Sequence, residues 1–490
     1  MKKKRIAAGI LAAVTALTVC GCGNGGEKKQ SFDESSEGDV LKVYMIGSEK
    51  PGTKEVINEV NKITKEKIGA TLDWTLISGG GFQEKMNMVY ASDGNFDICF
   101  TGYCNPLSSA VENECLLPLN ELIDGYAPEL KKEIPEYLWD VATVDGKIYA
   151  VPNQQINALA GALQVFESDL KKYGITDFDS VESAVDLEKY FDRIKAVDPQ
   201  KWVYRASAAM SLEDKGSAKY EYVGNGIVVE RGSKKCKVEN VYKTDSFVSG
   251  MKRAREWFKK GYIRSDIASV MSDDEDYLAK KYVFTHQSWR PASVGDSKFK
   301  TWFPGETAVY NIIDKPYITR GNCNSTMLSI SRNSKSPVKA MKYINLINTD
   351  KELYNLLSYG IEGKHWERAD ADHIRLIPDA DYCPNIPWAY GNQFNAYVLE
   401  GNDKDIWNKE REFNLSADKS PLLGFSADTE SLTTELAQIA SVVDEYKCLE
   451  NGSGDWEKLY PEFIERLKKA GIQTVIDEYQ KQIDEFLAKK

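Results

Sequence analysis

The chain has 490 residues, a formal net charge of −11 and 42% hydrophobic residues. That length suggests two or three domains with sizeable cores. The acidic balance argues against a nucleic-acid partner, which needs a basic footprint, and against wide contact with anionic lipid.

In chain order, Lys2-Lys3-Lys4-Arg5 precede a short apolar run that ends in Val19-Cys20-Gly21-Cys22. A basic start, a short apolar stretch and a small residue before cysteine predict a secretory leader with a lipoprotein cleavage site. Val19, Gly21 and Cys22 fit positions −3, −1 and +1, whereas Cys20 would have Val19 at −1. The run is shorter than the ~20 residues of a membrane span. Residues 1–21 are expected to be removed and Cys22 to carry lipid, anchoring the chain at the extracellular face of the cell membrane. Losing the basic residues takes the net charge from −11 to −15. Residues 22–38 are rich in Gly, Ser and charge, which predicts a flexible tether.

Leu41–Ile46 then reads as a strand, 51–68 as an amphipathic helix and Thr71–Ile77 as a second strand. Gly79-Gly80-Gly81 reads as a tight turn before a helix at 82–91, and 96–100 as a third strand. Alternating strands and helices predict an α/β unit with a mostly parallel sheet, whose ligands gather at the strands' carboxyl ends. Residues 147–152 form a further strand that Pro152 stops or redirects. Later strands are read at 226–230, 282–285 and 326–331. Helices are read at 182–197, 245–260, 337–346, 351–357, 404–413, 431–446, 455–470 and 472–487. The run Ser272-Asp273-Asp274-Glu275-Asp276 resembles a calcium loop by charge only, lacking the Gly and the downstream Glu; a solvated helix start fits it better.

Besides Cys20 and Cys22, the cysteines are Cys99, Cys104, Cys115, Cys236, Cys323, Cys383 and Cys448, an odd number with no CxxC spacing. With only His286, His365 and His373 beside them, no metal or other cofactor is expected. No GxSxG, HExxH, P-loop or GxGxxG sequence is present. A carboxylate pair for glycoside hydrolysis could be drawn from any acidic chain, so a surface glycan hydrolase stays open as an alternative.

Four runs carry a family resemblance: FDICFTGY (96–103), LLPLNELIDGYAP (116–128), GKIYAVPN (146–153) and SYGIEGKHW (358–366). In this order they resemble bacterial extracellular solute-binding proteins of ABC importers. The longer lipoprotein subgroup similar to LplA-like lipoproteins fits best, because SPLLGFSAD (420–428) and the following helices resemble its extra C-terminal domain. The resemblance implies a periplasmic-binding-protein-like fold with two α/β lobes, as in maltose-binding protein, each a mostly parallel sheet flanked by helices. By that analogy the first lobe is 39–155 plus 322–362. The second is 156–320 plus 363–490, with a helical C-terminal extension. It also implies a monomer that delivers an oligosaccharide to ABC permease subunits without changing it chemically; a sensor or adhesion lipoprotein on the same fold is a further alternative.

Sugar recognition needs aromatic faces to stack on a pyranose ring and planar polar groups to bind its hydroxyls. Such mixtures stand at predicted strand ends and crossings: Tyr103 near Asn105; Asn153, Gln154 and Gln155; Trp289 with Arg290; His365 with Trp366; and Trp388, Tyr390, Asn392 and Gln393. The candidate ligand-binding residues are Tyr103, Asn153, Gln155, Trp289, Arg290, Trp366, Trp388, Asn392 and Gln393. Trp74 reads as core, and Trp202, Trp257, Trp302, Trp407 and Trp456 as core or surface packing. Asp97 could bind ligand or simply end a strand.

Overall fold

The computed structural model describes residues 32, 34–36, 38–92, 95–205, 219–270, 272–293, 297–323 and 325–490. The leader, Cys22 and most of the expected tether lie outside the described residues. The end of that tether is held: Lys342 pairs with Glu34, and the Gly38 N–H donates to Ser336 Oγ at 3.1 Å.

Two sheets of five and four strands organise the lobes. Their strands are β1 (Val40–Ile46), β2 (Thr71–Ile77), β3 (Ile98–Gly102), β4 (Val151–Pro152), β5 (Ala160–Phe166), β6 (Trp202–Arg205), β7 (Tyr282–Trp289), β8 (Ala308–Ile312) and β9 (Thr326–Ile330). The first sheet runs β2-β1-β3-β9-β4 and the second β8-β5-β7-β6. In the first, β1 is parallel to β2 and β3, while β9 is antiparallel to β3 and β4. In the second, β7 is parallel to β6, while β5 is antiparallel to β7 and β8. Each sheet is therefore mostly parallel with one reversed strand. The reversed strand is the one the chain enters on crossing from the other lobe. It arrives at the carboxyl ends of the parallel strands and can only run back along them.

Local sequence explains the elements. Helix α1 (Thr53–Ile68) buries Val56, Val60, Thr64 and Ile68, a four-residue spacing that lies along one face. Gly69 ends it at φ +68. Helix α2 (Gly79–Ala91) begins three residues earlier than its apolar pattern, so the triple glycine is its first turn rather than a separate tight turn. Strand β5 was not legible as a strand because AGALQVF, apolar but for Gln164, shows no alternation and lies in the middle of its sheet.

The second lobe's core gathers Tyr190, Phe191, Tyr204, Trp257, Tyr262 and Phe284 around its sheet. Fully burying each large apolar side chain is worth about 1.5–3 kcal/mol. Trp257 is thus core, as expected, while Trp202 packs on Tyr282 beneath Arg264. The acidic run at 272–276 is matched by cations: Asp273 and Asp274 pair with Arg205, and Asp276 with Arg264 and Lys281.

The expected lobe boundary at 362 is corrected. Residues 381–391 pack on the first lobe: the Gly52 N–H donates to Asp381 O, Trp74 meets Tyr390, and the Tyr354 hydroxyl donates to Pro387 O. The C-terminal helices Thr433–Glu445, Trp456–Lys469 and Ile472–Lys489 build a separate core. Its other half is the sheet of Tyr220–Gly224, Ile227–Glu230 and Glu239–Asn240. Tyr242, Phe247 and Met251 from the following segment complete the same core.

Candidate functional site

Three crossings between the lobes run side by side among the described residues. Leu159 pairs with Tyr317, and Tyr317–Ile318 pairs with Asp418–Lys419. Two asparagine side chains, Asn414 and Asn322, lock them onto the backbone of the first crossing. The Asn414 side-chain oxygen accepts from the N–H groups of Asn157 and Ala158 at 3.0 and 2.9 Å, and its Nδ2 donates to Gln155 O at 2.8 Å. Asn322 Nδ2 donates to Asn157 O at 2.8 Å. Ladder registers set the strand ends beside this hinge: Gly102 lies opposite Thr326, and Trp289 opposite Ala160.

On the first lobe, Tyr103 follows β3 and is 60% exposed. Its ring lies 6.2 Å from that of half-buried Trp388, tilted 53°. Gly102 makes this placement possible. At φ +151, a Cβ there would come within 2.0 Å of Ser325 O. On the second lobe, half-buried Trp289 stands edge-on to Phe413 at 5.5 Å. Arg290 follows it, with its Nε buried and without a hydrogen-bond partner. Between them, Gln155 Nε2 donates to Thr326 Oγ1 at 2.8 Å, and the Gln393 N–H donates to Gln154 O at 2.8 Å. Two aromatic platforms and planar amides thus flank the hinge on strand ends.

Three expected ligand contacts are occupied in structure. Trp366 is 4% exposed and its Nε1 donates to Gly360 O at 3.0 Å; the two glycines that made SYGIEGKHW read as a loop instead shape a buried turn. Asn153 is 2% exposed and its Nδ2 donates to Ala389 O at 2.8 Å, latching the Trp388 loop. Asn392 is buried and caps the turn at Phe394. Asp97 lies at the opposite end of β3, accepting from the Lys42 N–H at 2.8 Å. His365 is buried against Asp381 and accepts from the Ile361 N–H. Phe413, Asn414, Asn157 and Asn322 escaped the sequence reading, since nothing local distinguishes a lone asparagine.

A groove of about 1020 Å³ runs between Ser108–Gly146 and the last helix. Glu478, Lys481 and Glu485 line it, and no Trp or Tyr does among the described residues. Its aromatic lining is Phe425 and Phe486.

A relative from Streptococcus pneumoniae serotype 4, described as a carbohydrate ABC transporter substrate-binding protein, is 32% identical over 99% of this chain and 98% of its own. The chain belongs to that family. Residues 421–488 also match a family model described as a domain of unknown function, DUF3502. It covers most of the C-terminal unit and omits the 220–240 insertion that completes its core.

Among solved structures, the N-glycan transport solute-binding protein NgtS of S. pneumoniae is 28% identical. It has a TM-score of 0.79, covering 92% of this chain and 100% of that one. NgtS in complex with Man1GlcNAc and with Man5GlcNAc gives 0.67 and 0.63 at the same identity and the same 92% coverage of this chain. This chain is accordingly a two-lobed α/β member of the carbohydrate ABC transporter substrate-binding proteins.

Proposed function

We propose that this substrate-binding protein is a lipid-anchored receptor for a glycan built from mannose and N-acetylglucosamine. It would take the glycan between Tyr103–Trp388 and Trp289, with Gln155, Arg290 and Gln393 as polar partners, and pass it unchanged to a permease. The observation that carries the reading is the full-length likeness to NgtS, whose complexes hold Man1GlcNAc and Man5GlcNAc. The aromatic pair at the end of β3 supports it. The lower likeness to the two glycan complexes supports lobe closure by hinge motion when a ligand touches both lobes. Cys22 would hold the protein to the membrane while the lobes stay in water.

A thermal-shift panel tests the cargo. A ligand at ~100 times its dissociation constant adds about 2.7 kcal/mol, enough to raise the melting temperature by a few degrees. Man5GlcNAc is expected to do so and a fructo-oligosaccharide is not; the reverse pattern would keep the receptor and reject the mannose glycan. Cys22→Ala is expected to release the protein from the membrane fraction, and its retention there would reject the anchor.

A further inference from the structure

Helix Ile406–Ser416, which carries Asn414, packs against the Pro291–Ser293 turn of the second lobe and the Gln393–Asn395 turn of the first. On it, Glu410 is fully buried. Its Oε1 accepts from the Ala292 N–H at 2.6 Å, and its Oε2 is buried without a partner. Arg290 stands on the same turn, its backbone N–H donating to Ser293 Oγ at 3.2 Å. A buried carboxylate that holds a loop by one charge-assisted bond is a costly arrangement. Replacing it by an apolar side chain would spare that cost, so its presence here calls for a function.

Resting on the glycan reading above, we propose that Glu410 is a positioning residue for the cleft. Through Ala292 and Arg290 it fixes the turn that carries Trp289, so a group that never touches the glycan sets its affinity.

Burial pushes the Glu410 carboxyl up to about 7, against the opposing pull of the Ala292 N–H and the Arg290 charge. The Gln393–Asn395 turn contributes no charged group. Above pH 7 the ionised carboxylate is the stronger acceptor and holds the turn; below it the grip loosens, so glycan affinity should rise with pH. Stability moves oppositely. The unfolded carboxyl releases its proton near pH 4.3, while the folded one keeps it to about 7. The contribution to stability is therefore present at low pH and lost as pH rises through that window. A role confined to folding would not produce these opposite trends.

The test titrates full-length protein with Man5GlcNAc at pH 6 and pH 8, wild type against Glu410→Gln. Wild type should bind about tenfold tighter at pH 8, the size of one charge-assisted bond. Glu410→Gln should bind with the weaker affinity at both pH values without melting lower than wild type at pH 8. A variant that keeps the wild-type affinity or its pH step overturns the proposal. Should wild type bind no Man5GlcNAc at either pH, the glycan reading falls, and hydrogen exchange at the Ala292 amide decides the positioning claim. Faster exchange in Glu410→Gln than in wild type at pH 8 upholds it, and equal exchange overturns it.

Discussion

Trp388→Ala is expected to weaken Man5GlcNAc binding about 30- to 100-fold, corresponding to about 2–3 kcal/mol, while barely moving the melting temperature. The tryptophan is half-buried beside exposed Tyr103, so its free face is available to a ring. Its contribution to the loop is chiefly backbone: its own carbonyl and that of Ala389 accept from Asn153 Nδ2, and truncating the side chain spares both. Trp388→Phe should recover much of the loss, because a smaller aromatic face still stacks. Titration calorimetry with parallel melting curves checks both. Equal loss of affinity and stability would place Trp388 in the fold rather than at the ligand.

Asn414→Ala should be the most destabilising of the changes considered. It leaves Gln155 O and the N–H groups of Asn157 and Ala158 without their partner. Each buried orphan costs about 1–3 kcal/mol unless water reaches it, so a loss of roughly 3–5 kcal/mol and a melting temperature lower by several degrees are expected. Asn414→Asp keeps the acceptor for the two N–H groups but sets a carboxylate oxygen against Gln155 O, and should fall between. Glycan affinity should drop in both, since the same contacts fix the relative setting of the crossings. Chemical denaturation alongside calorimetry separates the effects. An Asn414→Ala protein as stable as wild type would show that the crossings are held by their ladders alone.

Much of the first lobe was legible because its physics is local. VLKVYMI and TLDWTLI are strands bounded by glycine or polar turns, and α1 shows its buried face at helical spacing. Trp289 and Tyr103 could be found because each follows a predicted strand beside polar side chains. What failed was whatever depends on distant partners. Asn157 meets Asn414 across 257 positions and Asn322 across 165, and no local pattern encodes such a meeting. Trp366 looked available because it follows a run with two glycines, yet that run turns back so that Gly360 O accepts from its indole N–H. The C-terminal helices were legible, but their core depends on a sheet from 220–240 that reads as part of the second lobe. The lobe division failed for a similar reason: Tyr390 and Asp381 find their partners far back in the chain, Trp74 on β2 and Gly52 at the start of α1.

The central claim is that a mannose glycan bridges the two lobes. It is tested most directly by titrating the full-length protein with Man5GlcNAc while small-angle X-ray scattering follows the radius of gyration. The account predicts saturable one-site binding with contraction of the particle, both shifted to about 30- to 100-fold higher glycan concentration in Trp388→Ala. Saturable binding of a different glycan with no response to Man5GlcNAc, or release of free sugar from it during the titration, would contradict the account.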